Sequence, residues 1–222
     1  MTTVAVVRPG WTDFDEQHRI QGSLELPLNQ RGEVQVLWLI SRLKELSLQW
    51  EVVLSGTGEP AKGTAEALGE ALGIAVRDSD ELNNVNQGLW QGSSIEDIRR
   101  KTPRIFKQWE DAPETICPPE GEPWESAIER VQHALKKPLR KFDSLALVAS
   151  EPLASLVSSV LTGEPPDLTS AFSEKPGNPQ IDIFESSGRD GVDRSNRSPE
   201  RSRWRPPRCG TGAASRSPTP HP

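Results

Sequence analysis

The sequence predicts an α/β protein with a mainly parallel sheet. Three observations carry that reading. Short apolar runs alternate with segments of helical periodicity, the loops between them are short, and 222 residues suffice to bury a real core in one domain. Strand–helix–strand order of this kind implies right-handed crossovers.

Each element has its own signal. Residues 3–7 form the first apolar run, and residues 11–29 are polar and read as loop. Val36, Leu39, Ile40, Leu43 and Leu46 fall at helical spacing. A second strand covers 51–55, and Ser55-Gly56-Thr57-Gly58-Glu59-Pro60 is a loop by composition. Ala61, Ala65, Leu68 and Leu72 then line one helix face, and a short strand covers 74–76. Residues 82–92 form another loop, in which Trp90 is expected to pack the sheet edge. Ser93 and Ser94 cap a helix to about Lys101, Pro103–Trp109 forms a short helix, and 112–121 reads as a Pro-rich linker. Trp124, Ile128, Val131, Leu135 and Leu139 mark a long amphipathic helix that Pro138 should kink or stop. A strand at 145–149, a helix through Leu153, Leu156, Val157 and Val160 with Pro152 in its first turn, and an edge strand at 180–184 complete the fold.

The domain is expected to span 1–186, followed by an Arg/Ser/Pro-rich disordered tail at 187–222. The formal charge of -6 hides an asymmetry. Eight Arg against three acids put the tail near +5 and the rest near -11, so nucleic acid is not an expected partner of the core. Cys117 and Cys209 lack ligand-like spacing, so neither disulfide nor zinc is expected, and no cofactor is called for. With no signal peptide and no membrane-length apolar run, the expected setting is cytoplasmic, away from the membrane.

The first strand delivers Arg8-Pro9-Gly10, and Arg19-Ile20-Gln21-Gly22 follows. A cation beside a glycine suits an anion, because bare backbone approaches it closely. Pro9 has neither a nucleophile nor a backbone donor. Arg8, Gly10, Arg19, Gln21 and Gly22 are the candidate ligand-binding residues. For Arg19, Gln21 and Gly22, holding the loop's shape is an equal alternative. Trp11 is placed to stack on a ligand or to pack the rim. Ser55, Thr57 and Thr64 offer hydroxyls to an anion. His18, His133 and His221 are the only histidines: His18 reads as a surface or loop residue rather than a relocated nucleophile, His133 as an exposed helix residue, and His221 lies in the tail.

These segments resemble the histidine phosphatase superfamily, in its phosphoglycerate-mutase-like group, over residues 3–186. The family's Arg-His-Gly, Arg-x-Gln-Gly and Pro-Leu…Gly segments are matched by Arg8-Pro9-Gly10, Arg19-Ile20-Gln21-Gly22 and Pro27-Leu28…Gly32. Its Ser loop with an Arg, then Thr-Ala, is matched by Ser55, Pro60 and Thr64-Ala65. Leu82-Asn83-Asn84…Gly88-Leu89-Trp90-Gln91-Gly92, Gly121-Glu122 and Ser150-Glu151-Pro152 match the later segments.

The resemblance implies a three-layer α/β/α sandwich. It also implies a chemistry: a His nucleophile, a carboxylic acid, and a second His with two Arg around the transferring phosphoryl group. Here Pro9 stands for the nucleophile, Asn84 for the acid, Glu151 for the second His and Pro60 for one Arg, leaving Arg8. The expectation is a catalytically inactive member, with no catalytic residues and a binding or regulatory role toward a phosphorylated small molecule or a protein. The alternative is a phosphomonoesterase or phosphoglycerate-mutase-type enzyme using altered residues. A third reading is a decaying gene product. Because the family lines one pocket with both positions, Glu151 is expected to pair with Arg8 and neutralise the anion site.

Overall fold

The computed structural model describes residues 1–168 and 180–186. A five-stranded sheet forms its centre: β1 (Thr2–Val7), β2 (Val52–Ser55), β3 (Ala75–Asp78), β4 (Ser144–Val148) and β5 (Ile181–Ser186). The spatial order is β3-β2-β4-β1-β5. All pairings are parallel except β1 with β5, where Val6 faces Asp182 and Val7 faces Ile181. Parallel strands covered on both faces read as continuous apolar runs. Val4–Val7 and Leu145–Val148 accordingly have no exposed surface.

Helices cover both faces, giving the three layers expected. On one side α6 (Trp124–Lys136) and α8 (Leu153–Thr162) pack Trp124, Val131, Leu135, Leu153 and Leu156 against Val4, Val6, Leu54 and Leu147. On the other, α2 (Gln30–Glu45) and α3 (Ala61–Leu72) pack Leu39, Leu43, Ala65 and Leu68 against Ala5, Val7, Val53 and Val148. The N-terminus of α2 is capped by Asn29, whose side chain accepts from Gly32 N at 2.8 Å. Pro138 stops α6 at Lys136 and opens the short α7 (Pro138–Lys141).

Several expectations change. Residues 11–29 contain a four-residue helix, α1 (Asp13–Glu16), too short to show periodicity. The third strand runs 75–78 instead of 74–76 and is an edge strand, with Arg77 and Asp78 exposed. Pro152 precedes α8 at its N-cap and is not in its first turn. Trp90 does not pack the sheet edge. It joins Trp109, at 5.8 Å between ring centroids, in a satellite core with Ile20, Ile95, Ile98, Phe106 and Ile116. That core lies under α4 (Ile95–Lys101) and α5 (Pro103–Asp111). Residues 112–121 are no free linker either. Pro113 and Ile116 are buried, and Trp124 Nε1 donates to Ile116 O at 2.8 Å. The tail at 187–222 lies outside the described residues.

Candidate functional site

Three parallel strands end at one edge of the sheet, so the loops after Val7, Ser55 and Val148 gather there. Arg8 leaves the end of β1 with its backbone N bonded to Gln180 O at 3.0 Å. Its Nε and Nη2 both donate to Glu151 Oε1 at 2.9 Å, and Nη1 donates to Asp182 Oδ2. Glu151 Oε2 is held in turn by Ser155 Oγ at 2.8 Å and Ser155 N at 3.3 Å. The Arg8 and Glu151 side chains are each only 18% exposed, so water screens the pair weakly. Burial pulls the Arg8 pKa down, but Glu151 and then Asp182 outweigh it and hold the guanidinium charge more firmly than usual. The expected pairing of Arg8 with Glu151 is present. Asp182 was missed by sequence reasoning. Its signal lay in the edge strand, where a charged residue in an alternating run (Ile181-Asp182-Ile183) sits opposite Val6, two residues from Arg8.

Asn84, which the resemblance sets against the family acid, ties three loops together. Its Nδ2 donates to Gly22 O at 3.0 Å and Glu151 O at 2.9 Å. Its Oδ1 accepts from Val85 N at 2.9 Å and Leu153 N at 3.4 Å. An amide offers two donors and an acceptor with two lone pairs, and all of them are used.

The other candidates also have partners within the protein. Gly10 N donates to Thr64 Oγ1 at 3.3 Å, and a Cβ at Gly10 would stand 2.4 Å from Gly32 O, so only glycine fits. Gln21 Nε2 donates to Leu24 O at 2.9 Å and Glu59 O at 3.3 Å. Gly22 adopts φ 58°, and a Cβ there would meet Gln91 Oε1 at 2.3 Å. Arg19 is exposed and donates to Gly92 O at 2.6 Å and Gln17 Oε1 at 3.0 Å. Pro9 and Pro60 are buried. Trp11 carries the Arg31 guanidinium over its ring at 3.9 Å. Thr57 Oγ1 donates to Asp80 Oδ1 at 2.7 Å, while the Ser55 hydroxyl is fully buried without a partner among the described residues. His18 is exposed, and so is His133, which contacts Glu81.

Beside Asn84 lies a cleft whose lining includes Ser23, Glu25, Glu59, Asn83 and Ser150. None of its lining residues is cationic. An ionised carboxylate about 4 Å from a phosphate costs about 4 kcal/mol per unit charge at an effective dielectric near 20. Among the described residues, Arg8 at the end of β1 is already held by two carboxylates, Glu151 and Asp182.

One further carboxylate stands behind this loop. Asp15 Oδ2 accepts from Thr12 N at 2.6 Å and Thr12 Oγ1 at 2.9 Å. Burial pushes its carboxyl pKa up, and the Thr12 bonds offset this only in part. With the folded pKa above the unfolded one, ionising Asp15 disfavours the fold. Its contribution is fullest at low pH and is lost as pH rises from the ordinary carboxylate value through the raised one. The variant Asp15→Asn keeps an acceptor for Thr12 and loses the charge. Its melting temperature is expected to exceed wild type at pH 7, by a margin that shrinks toward pH 4. A margin independent of pH contradicts this assignment.

Comparisons with known proteins agree with this fold. The chain belongs to the histidine phosphatase superfamily (branch 1), whose family model matches residues 4–191. It is 31% identical over 103 residues to the uncharacterized phosphatase PhoE of Bacillus subtilis, covering 46% of this chain and 52% of that one. It is 27% identical to phosphoserine phosphatase 1 of Hydrogenobacter thermophilus (62% and 64% covered) and 29% identical to the probable phosphoglycerate mutase GpmB of Escherichia coli (61% and 62%). The chain thus spans between 52% and 64% of the length of these curated relatives. Among solved structures, a mycobacterial glucosyl-3-phosphoglycerate phosphatase superposes with a TM-score of 0.68 at 22% identity, covering 84% of this chain and all of that one. Bacillus stearothermophilus YhfR gives 0.67 at 22%, covering 86% and 98%. These two likenesses concern the fold. Among the described residues no helix is long and apolar enough to cross a membrane.

Proposed function

We propose that this chain is a catalytically inactive histidine phosphatase-like protein whose role is binding or regulation. One observation carries the reading: Arg8, the one retained cation of the five family positions, is closed off by Glu151 and Asp182. Around it the changes are concerted. Pro9 has no lone pair to offer a phosphorus atom, and Asn84 has no acidic proton to give a leaving group. Glu151 repels the phosphoryl oxygens that a histidine would attract. Both Asn84 and Glu151 have been drawn into local bonding, which supports a structural use of the former site. The partner is proposed to be a protein, since the neutralised pocket gives a phosphorylated small molecule little to hold.

An assay of the full chain on p-nitrophenyl phosphate, with Arg8→Ala beside it, tests this. Wild type and variant are both expected at the no-enzyme background. Wild-type turnover that the Arg8 substitution abolishes overturns the proposal. In that case, the Pro9→His, Pro60→Arg, Asn84→Glu, Glu151→His variant measures how far the altered set falls short.

A further inference from the structure

Helix α2 is amphipathic toward the core, with Val36, Leu39 and Leu43 buried, yet its outer face is apolar as well. Val34 is 63% exposed, Leu37 65% and Trp38 46%. With the small Ser41 they follow i, i+3, i+4, i+7 spacing, so they form one stripe opposite the core face. A solvated helix face is ordinarily polar, and a tryptophan at the centre of an exposed apolar stripe marks an interaction surface.

We infer that this stripe is the contact by which two copies of the chain associate, with their α2 helices antiparallel across a two-fold axis near Leu37 and Trp38. The charges at the two ends of the stripe select this occupant and this direction. Arg31 lies at the N-terminal end and Glu45 at the C-terminal end. Antiparallel packing sets Arg31 of each copy beside Glu45 of the other, and the two-fold axis makes the contact twice. Parallel packing would set like charges together. The same antiparallel arrangement opposes the helix dipoles favourably. In the single chain Glu45 pairs with the exposed Arg42 of its own helix and the exposed Arg31 lies over Trp11, contacts that exchange at little cost. The chain's own Arg-rich tail is a poor occupant. The rim of the stripe already carries Arg31, Arg42 and Lys44. The surface lies on the opposite layer from α6 and α8, and is independent of the proposed inactivity of the Arg8 site.

Light scattering on the full chain, over a concentration series reaching roughly 200 µM, where small interfaces become populated, tests the inference. The mass is expected to rise from 24.5 kDa toward twice that value. Trp38→Glu is expected to weaken association by roughly 30-fold or more, as removal of a central aromatic does. Its thermal melt stays that of wild type at low concentration, because the side chain is not part of the core. Glu45→Arg weakens association, and adding Arg31→Glu restores it. A wild-type mass that stays monomeric throughout overturns the proposal. So does a dimer indifferent to Trp38→Glu, or a double variant weaker than Glu45→Arg alone.

Discussion

Replacing Arg8 with alanine is expected to destabilise the fold by about 1–3 kcal/mol in urea unfolding, because it leaves the partly buried Glu151 carboxylate without its cation, the more exposed Asp182 adding little. An arginine held ready for a ligand behaves differently. It is surrounded by donors, and its removal relieves repulsion or changes stability by no more than about 0.5 kcal/mol. Here Glu151, at 18% exposure, and Asp182, at 43%, converge on one guanidinium. Without it, the Glu151 side chain is left against the N-terminus of α8 with, among the described residues, Ser155 to bond. The loss is expected to be smaller when Glu151→Gln is made first, since the two side chains form one unit and their costs do not add. Equal losses in the two backgrounds would mean that the pair is not coupled.

Asn84→Ala is expected to cost about 2–4 kcal/mol, from four hydrogen bonds each worth about 0.5–1.5 kcal/mol net. Its amide touches the Gly22 carbonyl, the Glu151 carbonyl and the start of α8 together. Asn84→Asp is expected to be at least as damaging at neutral pH, because a carboxylate oxygen would face both carbonyls in place of the NH2 group. The two variants are separated by pH. Protonating the introduced carboxyl restores one donor, so the Asn84→Asp loss shrinks in acid while the Asn84→Ala loss does not. A change below about 0.5 kcal/mol for Asn84→Ala, within the range of ordinary surface substitutions, would remove the loop-tying role assigned to this residue.

Much of this was legible before any coordinates. The continuous apolar runs at Val4–Val7 and Leu145–Val148 announce buried parallel strands, and the Arg8–Glu151 contact follows from the family resemblance, which lines one pocket with both positions. What stayed hidden has a physical reason in each case. The helix at Asp13–Glu16 is one turn long, below any periodic signal, and is held by Thr12 and Asp15 rather than by an apolar face. Asp182 is far from Arg8 in sequence and meets it only through the antiparallel register of β5. Pro113 and Ile116 looked like linker because composition describes a loop's chemistry and not what lies over it. Trp124 supplies the partner that buries this segment. For Arg19, Gln21 and Gly22 the two alternatives read from the sequence were ligand contact and loop shape. The structure gives each a bond within the loops around Gly92, Glu59 and Asn84.

The account rests on Glu151 standing where an anion would otherwise sit on Arg8. Titration of inorganic phosphate into wild type and Glu151→Gln, followed by calorimetry, tests that directly. The substitution removes a unit charge whose cost to a phosphate about 4 Å away is about 4 kcal/mol at a dielectric near 20, discounted here for partial exposure and for Asp182. Wild type is expected to give no saturable heat at millimolar phosphate, and Glu151→Gln to bind at least about tenfold more tightly, with the signal lost on adding Arg8→Ala. Saturable phosphate binding by wild type that Glu151→Gln leaves unchanged would contradict the account.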